Sequence, residues 1–226
     1  MPKDKTASPH LAALENALQA TLPMAYLEIG ALPGLAELQL ALINTDFTTG
    51  PLPAEVMHDV IANPAYWAFC WGSGLATAQW LAQQPEIVQD KEIIDLGCGS
   101  GVVGVMAKLM GARHVWACDT DPDALLATQV NADLNHVEVS LVDNLDKVPD
   151  NLDLLFMADV LYDRSNFKLL EKAKNKASRM LIADSRIDDV HDPDFKVVHH
   201  MQALTYPNLG EFDEFKNFCF FEHSVN

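Results

Sequence analysis

Glu92 to Gly104, EIIDLGCGSGVVG, decides the reading of this 226-residue chain. An apolar run through Ile93 and Ile94 stops at Asp95, and Gly97, Gly99 and Gly101 lead into the helical periodicity that begins at Val102. Strand, glycine turn and helix in that order predict the first crossover of an open parallel sheet, the edge at which such sheets bind nucleotide-like ligands. Asp119 closes the next apolar stretch, His114 to Cys118, where a carboxylate is placed to accept hydrogen bonds from a ribose diol.

Outward from this loop the pattern alternates. A helix is expected from Ser73 to about Gln84, strand Glu92 to Asp95, helix Val102 to Met110, strand His114 to Cys118 and helix Pro122 to Leu134. Strands Val137 to Val142, Leu152 to Ala158 and Met180 to Ala183 follow, the last two separated by a basic helix over Arg164 to Arg179. Alternation of this kind predicts an α/β, Rossmann-like, doubly wound sheet with helices on both faces. Phe195 to Tyr206 and Phe215 to His223, joined by PNLGEFDE, read as an antiparallel addition. Residues 1–62 are expected to form a small N-terminal accessory region: a helix with Ser8 as its N-cap and Pro9 at its first position, an alternating strand at Leu38, Leu40 and Leu42, and a short helix from Pro53 to Ala62. Residues 63–226 form the ligand-binding domain.

Charge narrows the function classes. Fifteen basic against 32 acidic residues give a formal net charge of −17, which repels phosphate backbones and disfavours nucleic acid as a partner. The six basic residues between Arg164 and Arg179 read as the solvated face of a helix that buries Phe167, Leu169, Leu170 and Ala173. Cys70, Cys98, Cys118 and Cys219 are too scattered for a zinc site or a disulfide framework, and His199 and His200 fall on opposite faces of a strand, so no metal is expected. With no apolar run of membrane-spanning length and no signal-like block at the N-terminus, the expectation is a cytoplasmic protein without a membrane partner.

The glycine loop admits two cofactors, because Gly99 to Gly104 also fits the dinucleotide pattern G-x-G-x-x-G. Asp95 at the strand tip would oppose the doubly anionic pyrophosphate of NAD, whereas it would favour the sulfonium and ammonium groups of S-adenosylmethionine. Charge therefore favours the methyl donor, leaving an NAD-binding oxidoreductase and a catalytically inactive binding module as competing classes.

The motif D-x-G-x-G-x-G at Asp95 to Gly101 resembles that of the class I, seven-strand S-adenosylmethionine-dependent methyltransferases. Residues 64–81 (PAYWAFCWGSGLATAQWL), 117–135 (ACDTDPDALLATQVNADLN) and 157–163 (MADVLYD) resemble the branch containing electron-transfer-flavoprotein β-subunit lysine methyltransferases and predicted bacterial nicotinamide N-methyltransferases. The resemblance implies strand order 3-2-1-4-5-7-6 and places Gly97, Gly99 and Gly101 around the methionine part of the cofactor. It implies Asp119 at the ribose, Asp143 and Asn144 near the adenine, Trp71 against the cofactor, and Ala158 with Asp159 at the methyl-transfer end.

Asp159 and Tyr162 are the candidate catalytic pair. An amine must lose its proton before it can attack a methyl group, and a carboxylate and a phenol at a strand end can align it. A helix N-cap for Asp159 and a half-buried core phenol for Tyr162 are the structural alternatives. Tyr66, Trp67 and Trp71 are candidates to wall the pocket, although core packing is the favoured reading for Trp67 and Phe69. A nucleic-acid amino-methyltransferase typically carries an N-P-P-Y-like turn after the fourth strand, where this chain has ADVLYD. The expected acceptor is a nitrogen on a basic-surfaced protein or, alternatively, a small nicotinamide-like metabolite.

Overall fold

The computed structural model describes residues 9–47, 53–187, 189–208 and 216–224. Helix α1 (Pro9–Thr21) begins with proline, whose fixed φ suits the first turn; Ser8, its expected cap, lies outside the described residues. Strands β1 (Leu27–Leu32) and β2 (Leu35–Ile43) form an antiparallel hairpin through Pro33-Gly34, with Gly34 at φ +76°. Only β2 was expected, because β1 buries a single residue, Leu32, and so lacks the alternation that marks a half-buried strand. Helix α2 (Ala54–Ala62), a 3-10 turn at Tyr66–Ala68 and helix α3 (Gly72–Gln83) lead to the glycine loop.

The central sheet is built from β3 (Glu92–Leu96), β4 (His114–Cys118), β5 (Ser140–Val142), β6 (Leu152–Ala158), β7 (Ala177–Asp184), β8 (Lys196–Gln202) and β9 (Asn217–Ser224). Its order is β5-β4-β3-β6-β7-β9-β8. Counted within the sheet alone this is 3-2-1-4-5-7-6, as expected, parallel through β7 and antiparallel at β9 and β8. Crossovers α4 (Val102–Leu109), α5 (Pro122–Leu134) and α6 (Lys168–Lys174) connect the parallel strands. α5 starts on Asp121, whose side chain accepts from the Asp123 amide, followed by Pro122 at the first helical position.

Several boundaries moved, among them that of β8, expected from Phe195 to Tyr206 and found at Lys196–Gln202. The third sheet strand is only Ser140–Val142, since it is an edge that pairs with β4 at Trp116, Ala117 and Cys118 alone. The basic segment is not one helix: Arg164–Phe167 is a 3-10 turn, α6 ends at Lys174, and Arg179 lies within β7, where it pairs with Glu222 of β9 at 2.9 Å. Most of the PNLGEFDE connection lies outside the described residues. His199 and His200 do diverge: His199 stacks on Trp80, ring centroids 4.8 Å apart, while His200 is exposed near the Cys219 thiol.

Leu38, Leu40 and Leu42 of the hairpin share one apolar core with α3, α4 and one face of the sheet. Leu170, Ala173, Leu155 and Phe221 belong to the core on the opposite face. A third cluster joins α1, α5 and the 3-10 turn, and Trp67, 2% exposed, is part of it, which decides its role as packing. Polar clamps complete the attachment of the hairpin. Asn131 of α5 accepts from the Ala41 amide at 2.7 Å and donates to the Ser100 carbonyl at 2.8 Å, while Asn135 bonds both the amide and the carbonyl of Gln39. Among the described residues no helix is long and apolar enough to cross a membrane.

Candidate active site

The ends of β3, β4, β6 and β7 meet at one edge of the sheet, and the loop after β3 turns there through left-handed backbone at Gly97 (φ +75°) and Gly101 (φ +78°). Both positions are also sterically closed, since a Cβ on Gly97 would lie 2.6 Å from Val160 Cγ2 and one on Gly101 2.9 Å from the Thr128 side chain. Gly99 differs: a Cβ there would meet nothing within 4 Å, so its outer face looks onto open space.

Five amides of the loop are engaged by the protein. Gly97 and Cys98 donate to the Cys118 carbonyl (2.8 and 3.2 Å), Gly99 to Asp119 Oδ2 (3.0 Å), Gly101 to the Cys98 carbonyl (2.7 Å) and Gly104 to Asp95 Oδ2 (2.8 Å). A dinucleotide pyrophosphate needs such amides free at the helix N-terminus. These five are committed elsewhere, which favours a ligand without phosphates.

Asp95 sits beneath the loop, 2% exposed, and burial pushes its carboxyl up to about 7 despite the hydrogen bond from Gly104. Its role here is to hold the start of α4, and opposition to an anionic ligand falls to the acids nearer the cleft. Asp119 stands at the end of β4 with Oδ2 on Gly99 and Oδ1 on the Asp121 amide (3.1 Å), leaving each oxygen a lone pair for a ligand hydroxyl. Burial raises its carboxyl, and the amides of Gly99 and Asp121 oppose that rise. The Asp119 amide donates to the Val142 carbonyl (3.1 Å), which brings Asp143 and Asn144 to the exposed rim beside it. Asp143 pairs with Lys147 at 2.6 Å, whose hydrogen bond holds its carboxyl below the usual range, and Asn144 caps the next turn by accepting from the Asp146 amide.

Across the loop, Ala158 ends β6 and Asp159 follows at φ +53°, its amide on the Ala183 carbonyl (3.1 Å) and its Oδ2 accepting from the Ser73 amide at the start of α3 (3.2 Å). Burial, reinforced by the charge of Asp184, lifts Asp159 to about 6, against the Ser73 hydrogen bond and the Arg186 charge. Tyr162 is 45% exposed, so it is no core phenol; its ring lies edge-on to Tyr66 at 6.3 Å and under the Arg186 guanidinium at 5.8 Å. Trp71 precedes α3, donates Nε1–H to the Tyr66 carbonyl (2.9 Å) and packs against the Tyr66 and Phe69 rings. A cleft of about 360 Å³, lined by Tyr162, Arg164, Phe167, Arg186 and Ile187 among others, opens beside Tyr162.

All the sequence-derived residues thus reach one edge, Asp95 from below and the others around it. Sequence reasoning missed Asp184 and Arg186. The signal was present, since Ala183-Asp184 ends β7 as Ala158-Asp159 ends β6.

The model of the ribosomal protein L11 methyltransferase family matches residues 68–177. The electron transfer flavoprotein β-subunit lysine methyltransferase of Danio rerio is 38% identical over 103 residues, 44% of this chain and 40% of that one. The Homo sapiens protein of the same name is 30% identical over 152 residues, 65% of this chain and 58% of that one. A ribosomal protein L11 methylase from Lactobacillus delbrueckii subsp. bulgaricus superposes with TM-score 0.50 at 20% identity, covering 66% of this chain and 79% of that one. The chain has the fold of the class I methyltransferases. It resembles the branch of methyltransferases that act on electron-transfer flavoprotein, and it spans about half the length of those relatives. The N-methyltransferase NodS from Bradyrhizobium japonicum, solved with S-adenosylhomocysteine, shares the methyltransferase fold at TM-score 0.50 and 10% identity, covering 66% of this chain and 84% of that one.

Proposed function

We propose that this chain is an S-adenosylmethionine-dependent N-methyltransferase acting on a protein lysine or another side-chain nitrogen. The observation that carries the reading is the glycine loop in which the amides of Gly97, Cys98, Gly99, Gly101 and Gly104 are already engaged, flanked by the carboxylates of Asp119 and Asp159. Such a site suits a cationic, phosphate-free adenosine ligand and opposes a pyrophosphate. The open face of Gly99 provides the close backbone approach that the amino-acid part of the ligand requires. Matches to lysine and ribosomal-protein methyltransferases support a protein acceptor, and the net charge of −17 favours a basic-surfaced one by steering.

In this reading Asp119 takes the ribose hydroxyls, Gly97, Gly99 and Gly101 shape the methionine side, and Asp143 and Asn144 border the adenine. Trp71 and Ala158 close the methyl-transfer end. When bound, S-adenosylmethionine supplies a methyl group on a sulfonium centre. The protein's part is alignment and exclusion of water. Asp159, ionised above its value of about 6, draws the acceptor nitrogen to the edge of β6 and takes up its proton at the carboxylate. The Tyr162 hydroxyl, kept protonated because burial raises it, donates or accepts a hydrogen bond that fixes the lone-pair direction. The faces of Tyr66 and Trp71 offer π surfaces to the cationic product.

The test is incubation with radiolabelled S-adenosylmethionine and lysate from the protein's own source. Label is expected in protein, and Asp159→Asn and Tyr162→Phe are expected to slow transfer more than they weaken cofactor binding. Label found only in a dialysable product would transfer the assignment to a small-molecule acceptor, and NADH binding without S-adenosylmethionine binding would end the methyltransferase reading.

A further inference from the structure

Behind Asp159 lies a second acid that the reaction scheme leaves unused. Asp184 ends β7, is 1% exposed, and accepts from the Arg186 amide through Oδ1 at 2.7 Å, while its Oδ2 is buried with no hydrogen-bond partner among the described residues. A buried carboxylate oxygen without a partner is costly, and a chain keeps one where a charge is needed. Register brings the two acids together: Ala158 pairs with Ala183, and the Asp159 amide bonds the Ala183 carbonyl. We propose that Asp184 is a positioning residue of the acceptor subsite, forming with Asp159 a carboxyl pair that selects a primary alkylammonium over a neutral acceptor of the same shape. This rests on the methyltransferase reading above.

The surroundings fit a pair that waits for a cation. Asp159 faces Ser73 and Cys70 on the α3 side, Tyr162 on its own loop, and Asp184 and Arg186 beyond β7; Asp184 has Arg186 on its own turn and Cys219 as its partner on β9. Arg186, exposed and over the Tyr162 ring, offsets only part of two neighbouring negative charges. Burial raises both carboxyls, the rise at Asp184 being opposed by the amides of Arg186, Ser185 and Ile187 and by the Arg186 charge, so below about pH 6 the pair holds a proton at Asp159. An entering ammonium replaces that proton, which leaves to solvent, and Asp159 then contacts the cation with Asp184 as a fixed charge behind it. A neutral pyridine or alcohol gains nothing from the exchange.

The probe is n-butylammonium, which carries the lysine side-chain terminus, titrated into protein saturated with S-adenosylhomocysteine and followed by NMR shifts. Saturable binding is expected to tighten as pH rises from 5 to 8, with the equal-length alcohol 1-butanol failing to compete. Asp184→Asn is expected to weaken butylammonium at least tenfold and flatten its pH profile, while S-adenosylhomocysteine affinity stays within twofold. Asp184→Glu, which keeps the charge if the asparagine variant folds poorly, is expected to retain the pH profile. Equal butylammonium affinity in Asp184→Asn and wild type, competition by 1-butanol, or absence of saturable binding with S-adenosylhomocysteine in place overturns the inference alone. Failure of S-adenosylhomocysteine itself to bind removes the methyltransferase reading and the inference with it.

Discussion

Gly97→Ala tests the geometry of the loop most directly. Two costs add at this position: alanine at φ +75° carries a left-handed penalty of about 1–2 kcal/mol, and its Cβ would stand 2.6 Å from Val160 Cγ2. Val160 has little room to withdraw. It is β-branched and 9% exposed, its backbone follows the anchored Asp159, and its carbonyl accepts from the Asn166 side chain at 2.9 Å. Overpacking of this kind costs about 1–3 kcal/mol, so the whole substitution is expected to destabilise by about 2–5 kcal/mol. Val160→Ala alone should cost about 1–2 kcal/mol through lost burial. The double variant removes the clash but keeps the left-handed strain, so the two changes should couple favourably by about 1–3 kcal/mol. Urea unfolding followed by tryptophan fluorescence measures all four corners of the cycle. Additivity within about 0.5 kcal/mol would refute the contact between the glycine loop and the end of β6.

Asp119→Ala should weaken S-adenosylmethionine by about 1–3 kcal/mol in titration calorimetry, through the lost hydroxyl acceptor and the released Gly99 amide; unchanged affinity would remove Asp119 from the site. Burial lifts Asp95 to about 7 and Asp159 to about 6, so between about pH 4 and 7 the folded chain holds protons that the unfolded chain has released. Stability should therefore fall as pH rises through that window, by up to about 1.4 kcal/mol per pH unit for each proton held. Asp95→Asn should flatten the part of this slope between pH 6 and 7, and an unaltered slope in denaturation at several pH values would contradict the buried placement. Trp71→Phe, which loses the bond to the Tyr66 carbonyl but keeps a ring, should leave cofactor affinity within about threefold (under about 0.7 kcal/mol). Trp71→Ala should weaken binding tenfold or more, and equal affinities by calorimetry would take the ring away from the cofactor.

The elements legible from sequence were those whose burial repeats with their own period. β4, β6 and α5 run from His114, Leu152 and Pro122 to the ends expected, because apolar runs and the Asp121-Pro122 cap mark them locally. β1 was invisible because its partner β2 supplies nearly all the hairpin's buried residues. The basic segment misled for another reason: Leu169, Leu170 and Ala173 satisfy helical spacing, and the change to strand at Ala177 has no glycine or proline to announce it. At the site, Asp119 and Asp159 could be found from strand ends and motif, whereas the burial of Asp95 and the solitary Oδ2 of Asp184 are products of tertiary packing. No local pattern encodes either.

Asn131 bears on how such a chain can be divided or recombined. With one amide group it accepts from Ala41 in the hairpin and donates to Ser100 in the glycine loop, so the same side chain belongs to both halves. A cut before residue 63 would leave that amide half-bonded beside the loop and strip the hairpin's leucines from the core beneath α3 and α4. Exchange of the first sixty residues with those of a relative would therefore need a backbone amide offered at the place of Ala41. Modularity in this chain ends at two asparagines of one helix, Asn131 and Asn135.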